Sequence, residues 1–327
     1  MPPTRSDLHQ NVPLQDLTVM TVQDESDFVL NATDGFVDVD HRSDSYYVYP
    51  SGSWNKNYMR ARGTSDESAG ATYELSTDTY SCGRDAVHID FDWDDAADAD
   101  EQVDPNEDAA RFLANQIQLQ GEKLYADTVF QTATWTTDWT GVASGPAANQ
   151  FVQFDQSASD PQATMLAAAE DIKLLTGRRP NKMVVGHTVH TTLLTNAAVR
   201  DALKYTQKLT VEEVRGILAA YFGVEMYQVA GGIHNTAGEG VTATMATVLD
   251  KEDLWMGYVD PKASKRSISA YKVFAWRGKD RVQRTRGVLT RTFDIEQRTT
   301  TRHEAEWAID VKVIAPDCGA FLKSAVA

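Results

Sequence analysis

The chain has 327 residues, enough for a sizeable core and for one large domain or two. Hydrophobic residues make up 42% of it, as in a globular protein, and no run of about 18 apolar residues exists to form a membrane-spanning helix. With a formal net charge of −16, the chain is not expected to recognise a nucleic-acid sequence, which needs a basic face.

The charge is built from 32 Asp against 15 Glu, and 13 Lys against 18 Arg. An excess of short carboxylates over flexible ammonium groups is the composition of proteins that work in high salt. Molar salt shortens the Debye length to about 3 Å and removes the self-repulsion of such a surface. The charge is also segregated. Asp85–Asp108 holds 11 acidic residues and no Lys or Arg, whereas Lys262–Arg302 holds 12 Lys and Arg against Asp280, Asp294 and Glu296. The two segments either face each other, within or between subunits, or form two solvated faces. Cys82 and Cys318 are the only cysteines, too few for a disulfide framework, and read as buried thiols.

Residues 1–45 are polar and Asp-rich, broken by Pro2, Pro3, Pro13 and Gly35, and read as an arm without the apolar stretch of a secretory signal. Tyr46–Tyr49 is strand-like, Trp54–Ala71 is a polar excursion rich in Gly and Ser, and Thr72–Leu75 is its second strand-like flank. Ala86–Trp93 alternates strictly, with Val87, Ile89, Phe91 and Trp93 apolar, and predicts a half-buried strand. Asp104-Pro105 opens a long helix, with Asp at the cap, Pro at the first turn and Glu107 and Asp108 at the positive end of the dipole. Its pattern continues to about Phe130, roughly 39 Å at 1.5 Å per residue.

Trp135–Asp155 reads as a Gly-, Thr- and Ala-rich connection, and Asp160-Pro161 caps a helix through Thr176 that Gly177 and Pro180 stop. Met183–Gly186 is a short apolar run predicting a buried strand. His187–Leu194 and Asn196–Tyr205 read as brief helices. Thr210 and Glu213 form a capping box for a third, whose apolar face is Val214, Ile217, Leu218 and Tyr221 and whose stop is Gly223. Val224–Val229 is strand-like, and the Gly-rich stretch that follows is read as a loop. Thr244–Leu249, Tyr271–Trp276, Val282–Phe293 and Trp307–Ile314 are read as strands.

Little in this sequence carries chemistry. His187 and His190 stand three apart at a helix start, a spacing that can bring two imidazoles to one metal, but the Glu of an H-E-x-x-H site is absent. Asp92, Asp94, Asp95, Asp98, Asp100, Glu101 and Asp104 offer oxygens to hard cations without the Gly and distal Glu of an EF-hand. No phosphate-binding loop, dinucleotide fingerprint or nucleophile elbow occurs. Asn31-Ala-Thr33 is a lone sequon of the kind that arises by chance.

The order of elements from Gly177 to Val224 resembles the A-domain of tailed-bacteriophage major capsid proteins, the family with the Johnson fold. The resemblance is carried by the Pro180-Asn181 turn into Met183–Gly186, the Asn196–Val199 element, and Thr210, Glu212, Phe222, Gly223 and Val224. The strand, acidic turn and long helix from Ala86 resemble the family's P-domain and spine helix, and the likeness covers about residues 46–315. It implies an α+β fold with an N-terminal arm (1–45), an E-loop (46–78), a P-domain strand and spine helix (79–155), an A-domain (156–280) and return strands (281–327).

The implied function is mechanical. A major capsid protein self-assembles as hexamers and pentamers into an icosahedral virion shell around double-stranded DNA, here for a tailed virus of a halophilic archaeon. Assembly is expected in the host cytoplasm, with scaffolding, portal and decoration proteins as further partners, and no catalytic residue, cofactor, metal or membrane is implied. The E-loop would place Trp54, Lys56, Tyr58, Met59, Arg60 and Arg62 against neighbouring subunits. Some members cross-link through an E-loop Lys, and Lys56 is the only Lys in this one. The alternatives are an encapsulin-like nanocompartment of the same fold and a soluble metal-dependent enzyme using His187 and His190.

Overall fold

The strand β7 (Lys182–Gly186) is buried at every position, and the rest of the larger core is arranged around it. In the computed structural model, which describes residues 28–49, 52, 55–94, 105–203, 211–279 and 282–327, it lies inside a six-stranded sheet. The order is β6 (Gln150–Val152), β5 (Thr137–Val142), β16 (Gly319–Lys323), β11 (Leu254–Gly257), β7 and β8 (Met226–Ala230). A strand covered on both faces reads as an unbroken apolar run, which is why MVVG is visible in sequence.

The pleat divides these residues between two cores. Met183, Val185, Leu254, Met256, Ala320 and Leu322 point to one side. There they meet Met165, Ala168 and Ile172 of α3 (Pro161–Thr176), Val189 and Leu193 of α4 (His187–Thr195), Val199 of α5 (Ala197–Leu203), and Leu218 and Phe222 of α6 (Val211–Phe222). Val184, Trp255 and Phe321 point the other way, into a second core with Tyr125, Val129, Tyr271 and Trp307. Gly186 ends β7 because a Cβ there would lie 2.4 Å from the Lys251 carbonyl oxygen.

The predicted helix boundaries follow from local chemistry. Asp160 accepts a 3.0 Å hydrogen bond from the Ala163 amide, Pro161 fills the first turn, and Gly177 leaves the helix at φ 73°. Gly223 does the same after α6, also at φ 73°. Thr210, the other half of the predicted capping box, lies outside the described residues.

The long helix α2 (Pro105–Thr128) packs against a three-stranded antiparallel sheet. The order of that sheet is β13 (Val288–Ile295), β14 (Thr300–Trp307) and β4 (Asp85–Asp92). Gly121 permits the approach: a Cβ there would lie 2.5 Å from Trp307 Cη2 and 2.9 Å from Leu30 Cδ2. Glu122, fully buried on the next position, accepts from the Val29 amide at 2.8 Å and so fixes α1 (Val29–Ala32) to α2. A second three-stranded sheet joins β1 (Phe36–Val39), β12 (Tyr271–Trp276) and β15 (Ile309–Val313).

Several expectations are corrected. The chain from Phe28 onward, read as part of a polar arm, is packed: Phe28, Val29, Leu30, Val37 and Val39 are buried. The second flank of the excursion is β3 (Ser76–Ser81), pairing antiparallel with β2 (Ser43–Val48), not Thr72–Leu75; only Tyr80 of β3 is buried, so its sequence carries no apolar alternation. The 135–155 connection contains β5 and β6. β5 is hidden by Gly141, which lies where a Cβ would meet the Ser324 carbonyl. The Gly-rich loop contains β9 (Ile233–Asn235), paired with β10 (Met245–Thr247). Val282–Phe293 begins as a turn and becomes strand only at Val288, and Trp307–Ile314 spans the end of β14 and all of β15. β11 and β16 were not foreseen.

Candidate subunit interface

The β2–β3 hairpin is anchored at its base and exposed beyond it. Tyr46 and Tyr80 are buried against Phe274, with the Tyr80 and Phe274 rings stacked at 4.4 Å and 12°. Tyr46 Oη donates to Asp78 Oδ2 at 2.8 Å, and both burial and that neighbouring carboxylate push its pKa up. Lys265 Nζ lies 2.7 Å from Asp44 Oδ2 and over the Tyr80 ring. From Asn55 to Leu75 every residue except Tyr58 is exposed.

Four of the six predicted contact residues lie openly on this excursion: Lys56, Met59, Arg60 and Arg62 are exposed, Met59 at 90%, and Tyr58 is half-buried. Trp54 lies outside the described residues. Local bonds shape the segment. The Met59 amide donates to Asn57 Oδ1 at 2.9 Å, Lys56 Nζ sits 5.2 Å from the centre of the Tyr58 ring, and Arg62 Nε donates to the Asp66 carbonyl. Tyr73 and Leu75, 66% and 44% exposed, are further large side chains here that the sequence reading did not single out. Leu174 on α3, 83% exposed, Val241 in the turn of the β9–β10 ribbon and Met245 at the start of β10 are others.

Among the described residues the segregated charges meet within the chain at Arg302 and Asp90. Arg302 of β14 holds Asp90 of β4 through two parallel 2.7 Å hydrogen bonds. On the same strand, Glu306, nearly buried, is approached by Arg284 at 2.5 Å, Arg291 at 3.5 Å and Arg84 at 3.7 Å. Arg284 belongs to a pocket of about 650 Å³ that also includes Arg277, Lys279 and Arg286. A larger groove of about 910 Å³ runs between α2 and β4.

The residues considered for metal chemistry are placed otherwise. His190 Nδ1 is 3.0 Å from Tyr227 Oη, and burial lowers its pKa to about 4; His187 is exposed. Among the described residues no group of three or more His, Cys, Asp or Glu is arranged to hold a metal ion. Asp94 donates its amide to Asp92 Oδ1, and Asp95, Asp98, Asp100, Glu101 and Asp104 lie outside the described residues. Cys82 and Cys318 are buried thiols whose pKa values burial raises to about 11.

No family model matches the chain, and no curated protein matches its sequence. Solved structures do match over nearly its whole length. A phage-related protein from Bordetella bronchiseptica RB50 superposes with a TM-score of 0.66 at 16% identity, over 93% of this chain and 94% of that one. The capsid structure of the cyanophage P-SCSP1u gives a TM-score of 0.54 at 12% identity, over 99% and 98%. A structure from Mycobacterium phage Bobi gives 0.53 at 11%, over 99% of each chain. The chain has the α+β fold of phage major capsid proteins, the Johnson fold.

Proposed function

We propose that this chain is a major capsid protein, and that it assembles as hexamers and pentamers into an icosahedral shell around double-stranded DNA. The observation that carries the reading is the excursion between β2 and β3, exposed from Asn55 to Leu75 except at Tyr58, on a chain with the capsid fold. A segment with so little burial of its own is stabilised when it packs on another molecule. In this reading the excursion is the E-loop, with Trp54, Lys56, Tyr58, Met59, Arg60 and Arg62 as contacts. α2 is the spine helix of a P-domain that spans 79–155 and the return strands 281–327. Residues 156–280 form the A-domain, and 1–45 include an arm that clasps neighbours. Interfaces of the multi-thousand Å² class would share the stabilisation.

The shell is assigned to the virion of a tailed virus of a halophilic archaeon, assembled in the host cytoplasm with scaffolding, portal and decoration proteins. The Asp-rich composition supports the salt-loving host, and an acidic inner wall would not hold packaged DNA, because phosphate binding needs Lys and Arg. The role is structural, not enzymatic: His190 is engaged with Tyr227 inside the fold.

The test is electron microscopy of the purified protein at about 2 M and about 0.1 M salt, chosen to span the collapse of the Debye length. Closed shells or capsomer rings at high salt that dissociate at low salt are expected. Shells at both salts retain the capsid and remove the halophilic host. Shells that hold a protein cargo and no nucleic acid when isolated from the native cell indicate a nanocompartment. Particles of monomer or dimer size at both salts, with scaffold supplied, defeat the reading.

A further inference from the structure

The antiparallel sheet of β13, β14 and β4 ends on an open strand. β13 pairs with β14 along one side, and among the described residues no strand pairs with its other side. The hairpin that leads into β13 shows which way its backbone groups point. The Val288 amide donates to the Thr285 carbonyl at 2.9 Å, and the Thr285 amide donates back to the Val288 carbonyl at 3.0 Å. Arg286 and Gly287 make the turn between them at φ 49° and 80°. Both Val288 groups therefore point away from β14. Bonding in an antiparallel ladder alternates along the strand, so the amides and carbonyls of Thr290, Thr292 and Asp294 point away from β14 as well. All three residues are exposed.

The open edge has two limits and a centre. Thr285 occupies Val288 at one end, and at the other the chain leaves the strand after Ile295 for a 3-10 turn at Glu296–Arg298. The free stretch is Leu289–Ile295, and Thr292 is its midpoint. A second copy turned about a two-fold axis through Thr292 would lay the whole stretch antiparallel on its equal. Thr292 then opposes Thr292 and Thr290 opposes Asp294, so every outward amide and carbonyl of these residues gains a partner. An axis at Arg291 would set Asp294 against Val288, which Thr285 already holds, and Arg291 against its own copy. An axis at Phe293 would leave Thr290 beyond the end of the partner's strand.

The side chains suit the same axis. Trp307, opposite Val288, lies against α2 at Gly121, so Leu289, Arg291, Phe293 and Ile295 project from the other face of the sheet. Across the axis Leu289 would meet Ile295, and Arg291 would meet the ring of Phe293, 42% exposed. The stretch carries Arg291 and Asp294 as its only charges and lacks the Lys or Pro with which edge strands deter partners. On a chain of net charge −16 it is a neutral strip, where two like-charged copies repel least. We propose that two copies of this chain pair through β13 across a two-fold axis at Thr292, joining their sheets into one. The contact is isologous, each copy offering the same surface. It rests on the shell reading in that it names which surfaces meet between copies.

Two measurements test it. Cys82 and Cys318 are buried, so a Cys added on β13 is the accessible thiol. Directly opposed, hydrogen-bonded strand residues hold their Cα atoms about 5.5 Å apart, within reach of a disulfide. The full chain carrying Thr292→Cys, treated with oxidised glutathione at about 2 M salt to screen repulsion, should give disulfide-linked dimers. The Thr290→Cys chain should give at least tenfold fewer, because its two thiols would stand about 13 Å apart along the strand. Separately, Thr292→Pro removes an amide that points away from β14, a place where an edge strand tolerates Pro. That chain should still melt cooperatively and should form no shells. Shells from the Thr292→Cys chain with no more cross-linking than from Thr290→Cys overturn the proposal and leave the shell reading standing. Cross-linked Thr292→Cys dimers that never yield shells, with scaffold supplied, defeat the shell reading and keep the strand pairing. Shells lost in Thr292→Pro without cross-linking in Thr292→Cys mean that another segment occupies the edge, which also overturns the proposal.

Discussion

Arg302 and Asp90 form a directly opposed cross-strand pair in which Nε and Nη2 donate to Oδ1 and Oδ2, each over 2.7 Å. The Arg302 hydrogen bonds hold the Asp90 carboxyl below the usual carboxylate range. A carboxylate with a lowered folded pKa adds stability above its unfolded pKa, near 4, and that contribution is lost as pH falls through the folded value. Arg302→Ala should therefore lower Tm at pH 7, and the difference from wild type should shrink by pH 3. Thermal unfolding at both pH values checks it, and an equal loss at both would show that packing of the Arg stem, not its charge, matters.

Lys272 on β12 is buried with no partner for its ammonium, and burial lowers its pKa to about 8. Below pH 8 both folded and unfolded chains carry this proton, and the fold bears the full cost of a buried charge. Between about 8 and about 10.5 the unfolded chain binds more protons, so this group's contribution to stability rises with pH. Lys272→Met keeps an unbranched apolar stem, one atom shorter, and removes the charge. It should stabilise the fold at pH 7 by about 2 kcal/mol, with the gain fading by pH 10. Subtracting the two denaturant-derived stability curves isolates the effect from Cys82 and Cys318, whose raised pKa values act in the opposite sense.

At Gly121 two effects compete. Ala is the better helix former by about 1 kcal/mol. Its Cβ would also lie 2.5 Å from the Trp307 ring, and overpacking of this kind costs about 1–3 kcal/mol. Trp307 is pinned by its bond to Arg286 and by β14 pairing on both sides, so it cannot withdraw and the clash should dominate. Gly121→Ala should lower stability in urea unfolding; an unchanged or higher midpoint would mean that the helix and sheet separate more easily than their contact implies.

What the sequence reveals depends on how local the determinant is. β7 was legible because burial on both faces leaves an unbroken apolar run, Met183–Gly186, after Lys182, and α3 because Asp160, Pro161 and Gly177 are set by the backbone itself. β3, β5 and β16 were not, since they are strands by virtue of distant partners: β16 pairs with β11 on one side and β5 on the other. The segregation of charge was visible, yet the choice of Asp90 for Arg302 comes from the β4–β14 register. At the interface the excursion showed itself as polar chain between Tyr-bearing flanks. Its exposure is nearly uniform, so no gradient of burial singles out the contact residues within it.

In the proposed shell the excursion would serve assembly and not folding, and this makes the predicted contacts testable. Tyr46, Tyr80 and Phe274 hold its base, whereas Met59, Arg60 and Arg62 touch solvent. Exposed substitutions away from structural features change stability by less than about 0.5 kcal/mol. Truncating side chains that fill a partner's pocket can cost 2 kcal/mol or more of binding. Met59→Asp combined with Arg60→Ala should leave the Tm of the unassembled chain within 1–2 °C of wild type, about what so small a change in stability produces in a chain of this size. The same variant should lower the yield of shells at about 2 M salt at least tenfold in sedimentation, with the missing protein at capsomer or monomer size. Tyr80→Ala should instead lower Tm, because it removes a fully buried ring. Normal shell yield from the Met59→Asp/Arg60→Ala chain would show that these two side chains do not reach a neighbour.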